Sequence, residues 1–154
     1  MSAEARLEEL GLELPSPPKA MGAYKPIVQV DRLLYLSGHG PLRPDGTFIR
    51  GRVGEDLDTQ AGYAAARLTA LVMLATLRAH CGSLDRVARI VKTLGLVQAT
   101  ATFTEHPAVI NGFSDVMREL FGPEEGVSAR SAFGAVSLPF DTAVEIEAIF
   151  EVKP

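Results

Sequence analysis

Residues 59–80, TQAGYAAARLTALVMLATLRAH, limit what this chain can fold into more than any other stretch. Wound as a helix, the segment is apolar along a broad stripe through Ala61, Ala64, Ala65, Leu68, Leu71, Val72 and Ala75. A stripe that wide needs a sheet to pack on. Asp58 stands where an N-cap is wanted, and Gly82 terminates the run after His80 and Cys81. A second helix is predicted over Ala108–Phe121, opened by Pro107 and closed by Gly122-Pro123.

The strands follow from shorter signals. Ile27–Val30 and Leu33–Leu36 flank Asp31-Arg32, a hairpin spacing that lacks the usual glycine. Ser37-Gly38-His39-Gly40-Pro41 is read as the stop of the second strand, and a loop with a turn at Asp45-Gly46 follows. Ala88–Thr102, rich in Val, Leu, Ile and Thr, suits a central strand. Ser131–Ser137 and Ala143–Lys153 complete the set, joined by the turn Leu138–Asp141. The order β-β-(β)-α-β-α-β-β predicts an α+β fold: a mixed sheet with both helices on one face.

Residues 1–21 read as an arm. Ser2 caps a short amphipathic helix running to Leu10, Gly11 ends it, and LELPSPPKA is a proline-rich connector. Residues 22–154 make the main domain, a length that buries about two-thirds of the unfolded surface. The net charge of −4 offers no basic field for a phosphate backbone, so nucleic acid is not an expected partner. One cysteine, Cys81, excludes an intrachain disulfide and suits a reducing cytoplasm. The most apolar run, Leu68–Leu77, is too short to span a bilayer. A mean hydropathy of +0.14 points to apolar surface covered by self-association.

Familiar catalytic motifs are absent: no G-x-G-x-x-G after a strand, no P-loop, no G-x-S-x-G and no H-E-x-x-H. His39, His80 and His106 lie too far apart in sequence to suggest a metal site. The last strand is more informative. Alternation puts Val144, Ile146, Ala148, Phe150 and Val152 on one face, and Glu145, Glu147 and Glu151 on the other. Those glutamates are a wet face or part of a site. Arg130, just ahead of the small-residue strand Ser131-Ala132-Phe133-Gly134-Ala135, is a surface ion-pair partner or a bidentate clamp for a carboxylate. Spacing alone does not choose.

The stretches GAYKPIVQV, LLYLSGHGPL, LDRVARIVKTLGLV and ARSAFGAVSLP…VEIEAIFEV, in this order, resemble the Rid (YjgF-type, endoribonuclease L-PSP) family, in its longer-chain branch. The resemblance implies a chorismate-mutase-like fold assembled as a homotrimer, with sites in clefts between subunits. It also implies hydrolysis of enamine and imine intermediates to 2-keto acids and ammonia, without metal or organic cofactor. Carried over by position, Arg130 is the substrate-carboxylate arginine and Glu145 the water-positioning glutamate. Tyr24, Ser37, Gly38 and Asn111 line the substrate site in the same carry-over. Ala132, standing where many relatives have cysteine, and His39, standing where glutamine is common, are substrate-binding positions in the same carry-over, with His39 at the pocket rim. Two other readings stay open: a non-catalytic trimer that senses a small carboxylate metabolite, and a ribonuclease, against which the acidic charge argues.

Overall fold

Capping decides where the helices begin. The computed structural model describes all residues, Met1–Pro154. Helix α1 spans Ala3–Glu9, with the Ser2 hydroxyl accepting from the Ala5 amide at 3.2 Å. Helix α2 spans Thr59–Cys81, and Asp58 accepts from the Ala61 amide at 2.8 Å. Both caps satisfy an amide that the first turn leaves without a partner. Helix α3, His106–Glu125, breaks its helical geometry at Gly122, so the continuous part ends at Phe121 as the sequence predicts.

Five strands form one sheet in the order β1-β2-β5-β3-β4. They are β1 Ile27–Val30, β2 Leu33–His39, β3 Val87–Gln98, β4 Ala129–Ala135 and β5 Val144–Val152. The β1–β2 hairpin turns without glycine because Asp31 itself takes the left-handed conformation, φ +52°. β3, α3 and β4 are a parallel strand–helix–strand crossover; all other pairings are antiparallel.

Two expectations change, and the strand order settles a point that the sequence leaves open. β2 does not stop at Leu36 but runs through Ser37 and Gly38 to His39, absorbing a bulge between Leu36 and His39. The bracketed third strand is not an element; that loop forms only isolated bridges such as Leu42 with Phe48. The last two strands, consecutive in the chain, are not neighbours, because β3 lies between them and leaves β4 at the sheet edge. Strand order depends on long-range pairing, which local patterns do not carry.

The core lies between the sheet and α2 and α3. Val144, Ile146, Ala148 and Phe150 of β5 are buried under the helices, with Leu74, Leu77, Phe113 and Met117 above them. The two helices cross closely at Gly112, where an added Cβ would sit 2.1 Å from the Tyr63 carbonyl oxygen. No side chain fits there, so this crossing fixes the depth of α3 over the sheet.

The arm is docked on the helical side. Leu7 is buried, and the Glu4 carboxylate pairs with Arg78 while accepting from the Leu84 amide at 2.8 Å. The hydrogen bond from Arg78 is the largest influence holding the Glu4 carboxyl below its ordinary range. Because that value is depressed on folding, the docking contributes stability above the unfolded carboxyl's titration and loses it as pH falls through the folded one.

The opposite sheet face has no helix over it. Val28, Val30, Tyr35 and Phe133 stand 49%, 53%, 44% and 50% exposed there, so the chain alone leaves an apolar surface uncovered.

Candidate active site

The bulge in β2 builds one wall of a cleft. It brings the Gly38 backbone against the Glu145 side chain: a Cβ at Gly38 would lie 2.9 Å from Glu145 Cδ. A side chain at this position would displace the carboxyl group, which glycine leaves in place. The cleft has a volume of 710 Å³ and is lined by Tyr24, Ser37, Gly38, His39, Glu145 and Glu147, among others.

Glu145 is half-buried, and burial, more than the neighbouring Glu147 charge, pushes its carboxyl above the usual carboxylate range. The remaining glutamates of β5 differ. Glu147 is exposed, and Glu151 forms an ion pair with Arg32. Only Glu145 combines burial, a raised affinity for protons and an open cavity, as a general base requires.

The Glu147 contribution yields a pH test. Glu147→Gln removes one of the two influences that raise Glu145, so the acidic limb of a kcat/KM profile moves to lower pH. Burial, the larger influence, stays in place and keeps the shift partial. A limb that stays put or moves to higher pH would show that Glu145 does not govern it.

The other cleft residues take distinct parts. The Tyr24 hydroxyl accepts from the Met21 amide at 3.3 Å, tying the arm to the cleft. Ser37 donates to the Lys25 carbonyl at 2.6 Å. His39, placed by sequence at the pocket rim, is instead 5% exposed, with Nδ1 2.6 Å from the Ser37 carbonyl oxygen and Nε2 2.9 Å from Thr76 Oγ1. Desolvation lowers its affinity for protons, which favours the neutral ring. In that form Nδ1–H donates to Ser37, and Nε2 accepts from the Thr76 hydroxyl. His39 is thus a buried tie between β2 and α2, leaving no ring nitrogen for a ligand.

Arg130 lies elsewhere. It is the second residue of β4, and its Nη1 donates to Asn111 Oδ1 at 2.8 Å and to Ser114 Oγ at 3.1 Å, both on α3. Asn111 and Ser114 are one helical turn apart on one face, the i,i+3 relation that could have signalled Ser114 from the sequence. These neutral partners orient the guanidinium without neutralising it, and Arg130 forms no ion pair within the chain. Ala132, two residues on, points to the same side and packs on the core.

The chain therefore brings the predicted residues together as two groups. Tyr24, Ser37, Gly38, His39 and Glu145 share the cleft; Arg130, Asn111 and Ala132 sit at the β4 edge. In register, Glu145 and Phe133 both stand level with Leu96, on opposite sides of β3. Glu145 is thus two strands, about 10 Å, from β4, and Arg130 lies about another 10 Å along it. The two side chains also leave opposite sheet faces. Within one chain the two groups do not meet.

Residues 4–151 match the family model described as "YjgF/chorismate mutase-like, putative endoribonuclease". The chain is 38% identical over 149 residues to protein TCP17 of Trypanosoma cruzi, a match covering 97% of this chain and 93% of that one. Among solved structures, Atu1372 of Agrobacterium tumefaciens, described as of unknown function, is 38% identical with a TM-score of 0.89, over 99% of this chain and 94% of that one. A protein of Shewanella oneidensis described as a putative endoribonuclease is 33% identical with a TM-score of 0.93, over 99% of this chain and 100% of its own. Both alignments take in the N-terminal arm along with the sheet and helices.

Proposed function

The chain belongs to the YjgF/chorismate-mutase-like (Rid) family, and from that premise and the chemistry of the cleft we propose that it hydrolyses reactive 2-imino acids, and their enamine tautomers, to 2-keto acids and ammonia. The observation that carries this reading is Glu145, a lone half-buried carboxylate with raised proton affinity beside a 710 Å³ cleft. No donor of the chain offsets its burial, so it is free to take a proton from water.

The reaction asks for little beyond positioning. Glu145 holds a water and accepts its proton as the oxygen adds to the imine carbon. The carbon–nitrogen π electrons go to nitrogen, which takes up a proton and gives a tetrahedral carbinolamine. Collapse of that adduct forms the keto carbonyl, breaks the carbon–nitrogen bond and releases ammonia. Arg130 binds the substrate carboxylate through a planar fork, which sets the electrophilic carbon at a fixed place relative to the water.

Because the two groups lie apart within one chain, this mechanism requires a neighbouring subunit to bring its Arg130 to the Glu145 cleft. A homotrimer with three such clefts is the assembly we propose. The uncovered apolar residues Val28, Val30, Tyr35 and Phe133 and the free edge of β4 support an association of this kind. Ribonuclease chemistry fits the cleft less well, since Glu145 and Glu147 together repel a phosphodiester.

The activity is tested by making 2-iminobutanoate in situ with an amino-acid oxidase and trapping what remains with semicarbazide. The protein is expected to cut the trapped amount in proportion to its concentration. Unchanged trapping across several imino acids contradicts the activity. Saturable thermal stabilisation by keto acids without turnover would assign the same cleft to metabolite sensing.

A further inference from the structure

The cleft is far larger than the reacting atoms require, and its unused part is built from two loops and the arm. Phe48 and Phe140 stack over it, ring centroids 5.5 Å apart and planes 13° from parallel. Both rings line the cleft that Glu145 lines, and Pro18 and Met21 of the arm contribute further apolar wall. Phe140 remains 52% exposed, so the rest of the chain does not close off the pair.

The turn that presents Phe140 is strained. Phe140 and Asp141 both adopt φ +58°, a conformation that disfavours residues with a Cβ and is an outlier for a bulky ring. Gln98, 1% exposed, holds the turn with its entire amide group. Its Nε2 donates to Asp141 Oδ1 at 2.6 Å and to the Gly51 carbonyl at 3.1 Å, while its Oε1 accepts from the Leu138 amide at 2.8 Å. Two ladder-like bonds, Gly51 amide to Asp141 carbonyl and Ala143 amide to Ile49 carbonyl, lock this turn to the loop that carries Phe48. A fully bonded buried side chain thus maintains an unfavourable backbone whose outcome is an aromatic ring aimed over the cavity.

We infer that the Phe48–Phe140 pair, with Pro18 and Met21, is a side-chain subsite that selects 2-imino acids bearing an aromatic side chain. A flat apolar ring continues the existing stack in the offset arrangement that aromatic pairs favour. A second carboxylate on the substrate is disfavoured by Glu145 and Glu147, which outnumber Lys19, the one basic residue of the lining. This inference rests on the proposed imine hydrolysis, which brings the reacting carbon to Glu145.

The experiment compares imines generated in situ from phenylalanine and from alanine, with wild type, Phe140→Gly and Phe48→Leu. Phe140→Gly suits the left-handed turn, so the fold is kept while the ring is lost. Wild type is expected to favour the phenylalanine-derived imine by about tenfold or more in kcat/KM, the scale of discrimination that an apolar pocket supplies. Both variants are expected to reduce that preference by slowing the phenylalanine-derived imine more than the alanine-derived one. Equal rates in wild type, or parallel losses on both substrates, overturn the subsite while leaving imine hydrolysis standing. If no imine is turned over, thermal shifts decide: stronger stabilisation by phenylpyruvate than by pyruvate, erased in Phe140→Gly, upholds the subsite, and equal shifts overturn it.

Discussion

Glu145→Gln lowers kcat for imine hydrolysis by about 10²- to 10⁴-fold, the range that a positioned general base contributes. The substitution keeps the shape that rests on the Gly38 backbone but removes the atom that accepts the proton of water. Stability should move in the other direction. The folded-state pKa of Glu145 is raised above its unfolded value, so the native protein binds the proton more tightly. Stability associated with this group is therefore lost as pH rises through that window, and at neutral pH the buried charge is a cost. The glutamine variant should melt at the same temperature as wild type or higher at pH 7, and should lose that advantage in acid. An inactive variant that is also markedly less stable would point to a structural role for Glu145 instead.

Arg130→Ala should reduce kcat/KM by about 10- to 150-fold, the equivalent of roughly 1.5–3 kcal/mol for a hydrogen bond to a charged group. Nη1 is occupied by Asn111 and Ser114, so Nε and Nη2 present the edge that a carboxylate would meet. Lysine restores the charge without that edge, and Arg130→Lys should recover only part of the loss. Full activity in Arg130→Ala, measured with the same trapping assay, removes the carboxylate clamp from the mechanism. Arg130 has no ion-pair partner in the chain, so its loss removes only the hydrogen bonds to Asn111 and Ser114 from the fold.

Local physics was the part of this protein most open to reading from sequence. Ser2 and Asp58 cap the helices they were expected to cap, and the alternation of β5 separates core from glutamates as written. Alternation could not rank those glutamates, because burial depends on what lies across the sheet. Glu145 meets the bulge at Gly38, Glu147 faces solvent, and Glu151 meets Arg32. Glu145 and Arg130 stand out by family resemblance, not by spacing.

The bulge itself left no readable mark. Ser37-Gly38-His39 carries the signature of a strand end, yet it continues the strand with His39 turned inward to Thr76. Likewise, nothing in Leu138–Asp141 announces two left-handed non-glycine residues, since Gln98, forty-odd residues earlier in the chain, is what holds them. Contacts between residues remote in sequence account for these misses, as they do for the position of β4 at the sheet edge.

In the proposed mechanism a complete site takes Arg130 from one subunit and Glu145 from another. Co-express Arg130→Ala and Glu145→Gln chains with different affinity tags, purify the doubly tagged trimers, and assay imine hydrolysis. In a cyclic trimer of mixed composition, one of the three interfaces joins an intact Arg130 to an intact Glu145, so about one-third of wild-type activity should return. Each variant alone should remain impaired. If the mixed trimers are no more active than the two parent variants, the residues act within a single chain or not at all, and the account is contradicted.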